Sequence, residues 1–222
     1  MAKKKSTLNI ALVGNPNTGK TSLFNQLTGL NQKVGNYPGI TVERKVGTFK
    51  LPNGASASIS DLPGTYSVNP SSADENIVID TLLERDASQK PDIVLVVADV
   101  LNLKRNLFLL SQVMDLGYRT VLAINMSDQM EKRGITINPE VIEKNFGCSV
   151  VLVSMKKRTG LEDLKSLLQE SPIRELPFIF DLEKQNNKVY NFDRNKVVDL
   201  DYVKDNATVF HNNKLHTDLI SY

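Results

Sequence analysis

Residues 8–21 read LNIALVGNPNTGKT. Leu8–Val13 is apolar except for Asn9, the composition of a strand buried on both faces. The next eight residues, Gly14–Thr21, fit the pattern G-x-x-x-x-G-K-[ST], which has meaning only with a strand before it and a helix after it. "GKTSLFNQLTG" (19–29) supplies that helix and stops at Gly29. Strand, glycine loop and helix in this order form the opening unit of an α/β layered domain.

The rest of the chain repeats the alternation. "ERKVGTFKL" (43–51) and "ASASISDL" (55–62) flank "PNG", a turn signal for an antiparallel hairpin. "DIVLVVAD" (92–99), "TVLAINM" (120–126) and "SVVLVSM" (149–155) are continuous apolar runs, expected as buried parallel strands. Helical stretches fall between them at 72–86, 102–117 and 161–169, the first opening on Ser72 and Glu75 in capping-box spacing. The fold expected is α/β with three layers: a mostly parallel sheet with one antiparallel hairpin strand, and helices on both faces.

Composition narrows the function. In 222 residues, 27 basic and 25 acidic side chains leave a formal charge of +2, which gives no reason to expect nucleic-acid binding. The lone Cys148 excludes a disulfide framework and a cysteine metal site, and its apolar surroundings predict a buried structural thiol. His211 and His216 stand in a polar tail without other ligand types nearby. Residues 1–6 read as a flexible basic start with no signal-peptide h-region, and no window reaches the 18 or so apolar residues of a membrane helix. The chain as given is expected to be cytoplasmic. From Ser171 to Tyr222 the sequence is rich in Asn and Asp and carries no sustained helical stripe, so 171–222 is read as a separate appendage, strand-rich or partly disordered.

The glycine loop is a phosphate site by its chemistry. Gly14 and Gly19 let backbone N–H groups approach phosphate oxygens, and Asn15, Pro16, Asn17 and Thr18 carry the loop between them to the helix N-terminus. Lys20 reaches the β and γ phosphates, Thr21 offers a hydroxyl to Mg²⁺, and Ser22 follows in the first helical turn. "DLPGT" (61–65) ends an alternating strand. Asp61 is placed to hold Mg²⁺ through a water, and Gly64, after Leu62 and Pro63, to meet the γ-phosphate by its N–H. A Ras-like switch would have Gln next, to orient water; this chain has Thr65. "GNYPGITVE" (35–43) precedes the hairpin, and its Gly39, Ile40 and Thr41 are the candidate switch contacts, Thr41 as a Mg²⁺ ligand.

Two further motifs select the base. "NMSD" (125–128) follows a strand and fits Asn-x-x-Asp, with Asn125, Met126 and Asp128 as nucleotide contacts. The Asp128 carboxylate can accept from guanine N1–H and the exocyclic amine, whereas adenine would leave it unpaired. "SMKK" (154–157), after the next strand, would bring the amides of Ser154, Met155 and Lys156 to guanine O6. Gly14, Asp61, Asn125 and Ser154 each close a predicted strand, and ligands bind at that edge of an open α/β sheet.

"GNPNTGKTSLFNQLTG", "VGNYPGITVE", "DLPGTYS", "RNLFLL" and "LAINMSD" resemble the cytosolic G domain of ferrous iron transport protein B, FeoB, over about residues 7–170. Met126 matches that family where Ras-like proteins carry Lys. The resemblance implies a P-loop GTPase fold, GTP/GDP and Mg²⁺ as ligands, and GTP hydrolysis coupled to ferrous iron uptake. It also implies a membrane permease domain or subunit and small cytosolic regulators as partners, at the cytoplasmic face of the inner membrane. Such domains resemble potassium-activated GTPases, which makes Asn17 the implied K⁺ ligand beside Lys20 and Thr41 as catalytic groups. Tight-turn chemistry is the other reading of Asn17. A ribosome- or RNA-associated GTPase is the alternative function, and a domain that binds nucleotide without turnover is a third.

Overall fold

The computed structural model describes residues 7–37, 42–68, 73–83, 90–170 and 220–221. The expected start (1–6), the switch residues Gly39, Ile40 and Thr41, the capping Ser72, both histidines and nearly all of 171–222 lie outside these residues.

Seven strands form one sheet in the order β2-β3-β4-β1-β5-β6-β8: β1 (Thr7–Gly14), β2 (Gln32–Asn36), β3 (Glu43–Lys50), β4 (Ser56–Asp61), β5 (Ile93–Asp99), β6 (Thr120–Asn125) and β8 (Ser149–Leu152). The antiparallel pairs are β2–β3 and β3–β4, and the other four pairs are parallel. The strand that runs against the rest is therefore β3, the hairpin strand expected from "PNG". The edge strand β2 takes in Gly35 and Asn36, the first two residues of the stretch that precedes the hairpin. β8 ends at Leu152 rather than 155, because Ser154 turns aside to bridge Thr159. A two-residue strand, β7 (Thr136–Ile137), pairs with β9 (Ile220–Ser221), which joins the last residues of the tail to the domain.

Alternation along β1 sorts the core into two layers. Ala11 and Val13 join Val94, Val96, Leu122 and Ile124 under α2 (Ala73–Leu82), α3 (Leu103–Asp115) and α5 (Pro139–Phe146). Ile10 and Leu12 join Leu95, Val97 and Val121 under α1 (Lys20–Thr28) and α6 (Leu161–Glu170), through Leu23, Phe24, Leu164 and Leu168. With a period of two, strands buried on both faces must be apolar along their length, and β5 is buried throughout and apolar up to Asp99 at its end. Cys148 is buried in the first layer, as expected of a structural thiol. The helix α5 occupies a stretch left unassigned by sequence, although Asn138 caps it, Pro139 opens it and Gly147 closes it in the left-handed region.

Register places the motifs on one edge. Leu12 of β1 faces Asp61 at the end of β4, Gly14 faces Val97, and Asp99 faces Asn125. The ends of β1, β4, β5 and β6 thus lie side by side. Among the described residues no helix is long and apolar enough to cross a membrane.

Candidate functional site

The phosphate loop turns out of β1 at Gly14. A Cβ there would come within 2.7 Å of the Val97 carbonyl oxygen and 3.1 Å of Thr18 Oγ1, so β5 and the loop itself impose the glycine. At Gly19 the backbone has φ +84°, open to few L side chains, and a Cβ would stand 2.2 Å from Asn125 Nδ2. Both glycines are therefore demanded by protein neighbours, a reason that the sequence reading, with its eye on phosphate, does not contain. Gly64 lies against Pro16, whose Cγ would be 3.3 Å from an added Cβ.

Within the loop Thr18 Oγ1 donates to the Asn15 carbonyl at 2.9 Å. Asn15 is buried, and neither polar atom of its side chain has a partner. Asn17 is exposed with φ +69°, a conformation that Asn tolerates. That geometry satisfies the turn reading.

Lys20 is buried at the first position of α1. Its ammonium pairs with the Asp61 carboxylate and donates to the Leu62 carbonyl. Thr21 Oγ1 donates to the other carboxylate oxygen, Oδ2, at 3.1 Å. The structure thus brings Lys20, Thr21 and Asp61 to one point. A hydroxyl from the first turn of α1 and a carboxylate from the end of β4 are hard oxygen donors of the kind that Mg²⁺ takes.

Asp61 leads into a segment fastened to the phosphate loop. Leu62 N–H donates to the Leu12 carbonyl at 3.1 Å, and Thr65 N–H to the Gly14 carbonyl at 3.2 Å. Thr65 itself is 0% exposed. Its hydroxyl donates to the Ser67 carbonyl at 2.6 Å and lies 3.1 Å from Glu75 Oε1. The residue at the place of the missing Gln is a buried structural link. Next to it Tyr66 is half exposed under the Arg105 guanidinium, 3.9 Å from its ring centre. Tyr37, the last described residue before Thr41, has its phenol pushed up chiefly by burial, with Arg44 acting against this and Asp61 adding to it. Tyr37 therefore lies within the field of Asp61.

Asn125 joins the base loops to the phosphate loop. Its Nδ2 donates to the Thr18 carbonyl at 2.9 Å, and its Oδ1 accepts from Met155 N–H at 3.2 Å. Gln26, on α1, donates to the Met155 carbonyl at 2.6 Å, a tie with no sequence signature. Met126 leaves β6 with φ +64° and is followed by a 3-10 turn, Ser127–Gln129, that presents Asp128. Ser154 Oγ donates to Asp128 Oδ1 at 2.7 Å, and Gln129 Nε2 to Oδ2 at 2.8 Å. The Ser154 hydroxyl above all holds the Asp128 carboxyl below the usual carboxylate range; partial burial opposes it, and Gln129 and the Lys156 charge help. Of the loop amides, Met155 serves Asn125, Lys157 donates to Ser154 Oγ at 3.1 Å and Ser154 donates to Thr159. Lys156, exposed, follows Met155 at the turn of this loop.

Residues 8–168 match the family model FeoB_N, Ferrous iron transport protein B. The chain belongs to that family. The Fe(2+) transporter FeoB of Leptospira biflexa is 45% identical over 162 residues, which are 73% of this chain and 23% of that protein. The Fe(2+) transporter FeoB of Legionella pneumophila is 37% identical over 203 residues, 90% of this chain and 26% of that protein. The chain thus spans about a quarter of these FeoB relatives. Among solved structures, the G domain of the T. maritima FeoB iron transporter superposes with a TM-score of 0.67 at 41% identity, over 74% of this chain and 98% of that one. A GDP-bound variant of the S. thermophilus FeoB G domain superposes with a TM-score of 0.68 at 42% identity, over 75% and 62%. The fold is the P-loop GTPase fold of these FeoB G domains.

Proposed function

We propose that residues 7–170 are a GTP-binding, GTP-hydrolysing switch domain that controls ferrous iron uptake, with 171–222 an appended segment. One observation carries the reading: the Asn125 side chain joins Thr18 of the phosphate loop to Met155 of the base loop, while Asp128 is presented beside it. A purine nucleotide spans such a pair of loops, and the GDP-bound FeoB relative supports guanine as its base.

In this reading Gly14–Ser22 wraps the phosphates, and Lys20 transfers its charge from Asp61 to the β and γ oxygens. Thr21 and Thr41 would offer their hydroxyls to Mg²⁺ and Asp61 would hold it through a water, while Gly64 N–H would meet the γ-phosphate. Bound Mg²⁺ supplies charge neutralisation across the β and γ phosphates. Asn17, exposed on the loop, would offer an amide oxygen to K⁺, which would supply further charge neutralisation beside the phosphates. Thr65, buried and bonded, is left out of water positioning. Met126, Met155 and Lys156 line the base site, with the Lys156 amide directed to guanine O6.

The domain acts at the cytoplasmic face of the inner membrane beside a permease domain or subunit, with small cytosolic regulators as further partners. Family membership and the near-neutral charge favour this over a ribosome- or RNA-associated GTPase. Competition of labelled GDP by GTP and ATP tests the base assignment. GTP should displace it and ATP should not; equal displacement refutes the reading.

A further inference from the structure

Asp128 meets one protein donor on each carboxylate oxygen, Ser154 at 2.7 Å and Gln129 at 2.8 Å. Ser154 belongs to the expected base loop, but Gln129 belongs to no motif. An ionised carboxylate only accepts, so the amide nitrogen of Gln129 must face it. Side chains adjacent in a helical turn diverge, so Gln129 has to fold back to make this contact. Its backbone is fixed for the purpose: Gln129 N–H donates to the Met126 carbonyl at 2.8 Å, closing the turn that begins at the left-handed Met126.

A carboxylate has about four acceptor positions, two on each oxygen. Side-chain donors take one position on each oxygen, and both oxygens keep acceptor capacity for a ligand. The guanine edge presents two donors side by side, N1–H and the exocyclic amine. We propose that Gln129 is a positioning residue for base selection, which with Ser154 pins both Asp128 oxygens so that they meet the two donors of guanine together. The inference rests on reading Asp128 as the guanine acceptor. A single donor, on Oδ1 alone, would leave the carboxylate free to turn about its last bond and serve one partner at a time.

Inosine diphosphate separates these cases, because it keeps N1–H and lacks the amine. Displacement of a fluorescent GDP analogue from the full chain by GDP, IDP and ADP should show the wild type preferring GDP to IDP by about tenfold and rejecting ADP. Gln129→Leu removes the donor, and Gln129→Glu keeps the shape while repelling Asp128. Both should lower the GDP-to-IDP preference about fivefold while IDP affinity changes little. Equal weakening of GDP and IDP, the signature of a merely structural role, overturns the proposal, as does an unchanged preference in both variants. Tight ADP binding by the wild type would instead overturn the reading of Asp128.

Discussion

Gly19 lies directly against the Asn125 side chain, so that a methyl group on Gly19 would stand 2.2 Å from Nδ2. The two residues are far apart in sequence, and the contact closes the phosphate loop onto the base loop. Gly19→Ala must therefore displace Asn125 and also strain a backbone at φ +84°. Strain of that kind costs about 1–2 kcal/mol. Urea unfolding should show at least this loss, and GDP binding should fall with it. Adding Asn125→Ala removes the clash but not the strain, so the double variant should be more stable than the sum of the single losses. Strict additivity would show that the contact is not the cause.

Lys20 and Asp61 form a buried ion pair with side chains 10% and 6% exposed. Removing one partner of such a pair leaves the other charge buried, a loss of about 3–5 kcal/mol where nothing compensates. Here Thr21 still bonds Asp61, so Lys20→Ala should fall at or below the lower end of that range. Tight nucleotide binding should disappear altogether, since no other residue of Gly14–Thr21 carries a positive charge. A Lys20→Ala protein that binds GDP normally would remove Lys20 from the phosphate site.

The Asp128 carboxyl is held low, first by the Ser154 hydroxyl. Guanine binding needs the ionised form, so affinity should stay flat as pH falls through the usual carboxylate range and drop only below it. Ser154→Ala returns the group toward its ordinary value, and the drop should then begin at higher pH. Asp128→Asn should lose GTP and gain xanthosine nucleotides, whose O2 can accept from the new amide. Titrations of labelled nucleotide between neutral and acidic pH measure all three effects; a Ser154→Ala profile that overlays the wild type contradicts the assigned cause.

Asn17 and Thr65 separate the two candidates for the work of the missing Gln. If Asn17 holds K⁺, GTP turnover should be faster in KCl than in NaCl at equal ionic strength, which removes general screening as the cause. Asn17→Ala should erase the difference and spare GDP binding. Thr65→Ala should retain the potassium effect but lower stability by about 1–2 kcal/mol, because a buried hydroxyl with two partners is lost. A large fall in turnover for Thr65→Ala, with no difference between the salts, would make Thr65 the catalytic group.

Sequence by itself determined the alternation of strands and helices, a mostly parallel sheet with one antiparallel hairpin strand, and the four loops at one sheet edge. These features are legible because they rest on local periodicity and on motifs of a few consecutive residues. Helix α5 was also within reach, through Asn138, Pro139 and Gly147, since capping is a local property. The edge strand β2 was not, because Gln32–Asn36 carries a glycine and polar residues and becomes a strand only by pairing with β3. Side-chain partners were decided by tertiary structure alone. That Val97 imposes Gly14, that Asn125 imposes Gly19, that Glu75 meets Thr65 and that Gln26 holds Met155 are contacts between distant segments. Such contacts depend on where packed elements bring atoms together in space, and no local pattern of residue types encodes that distance.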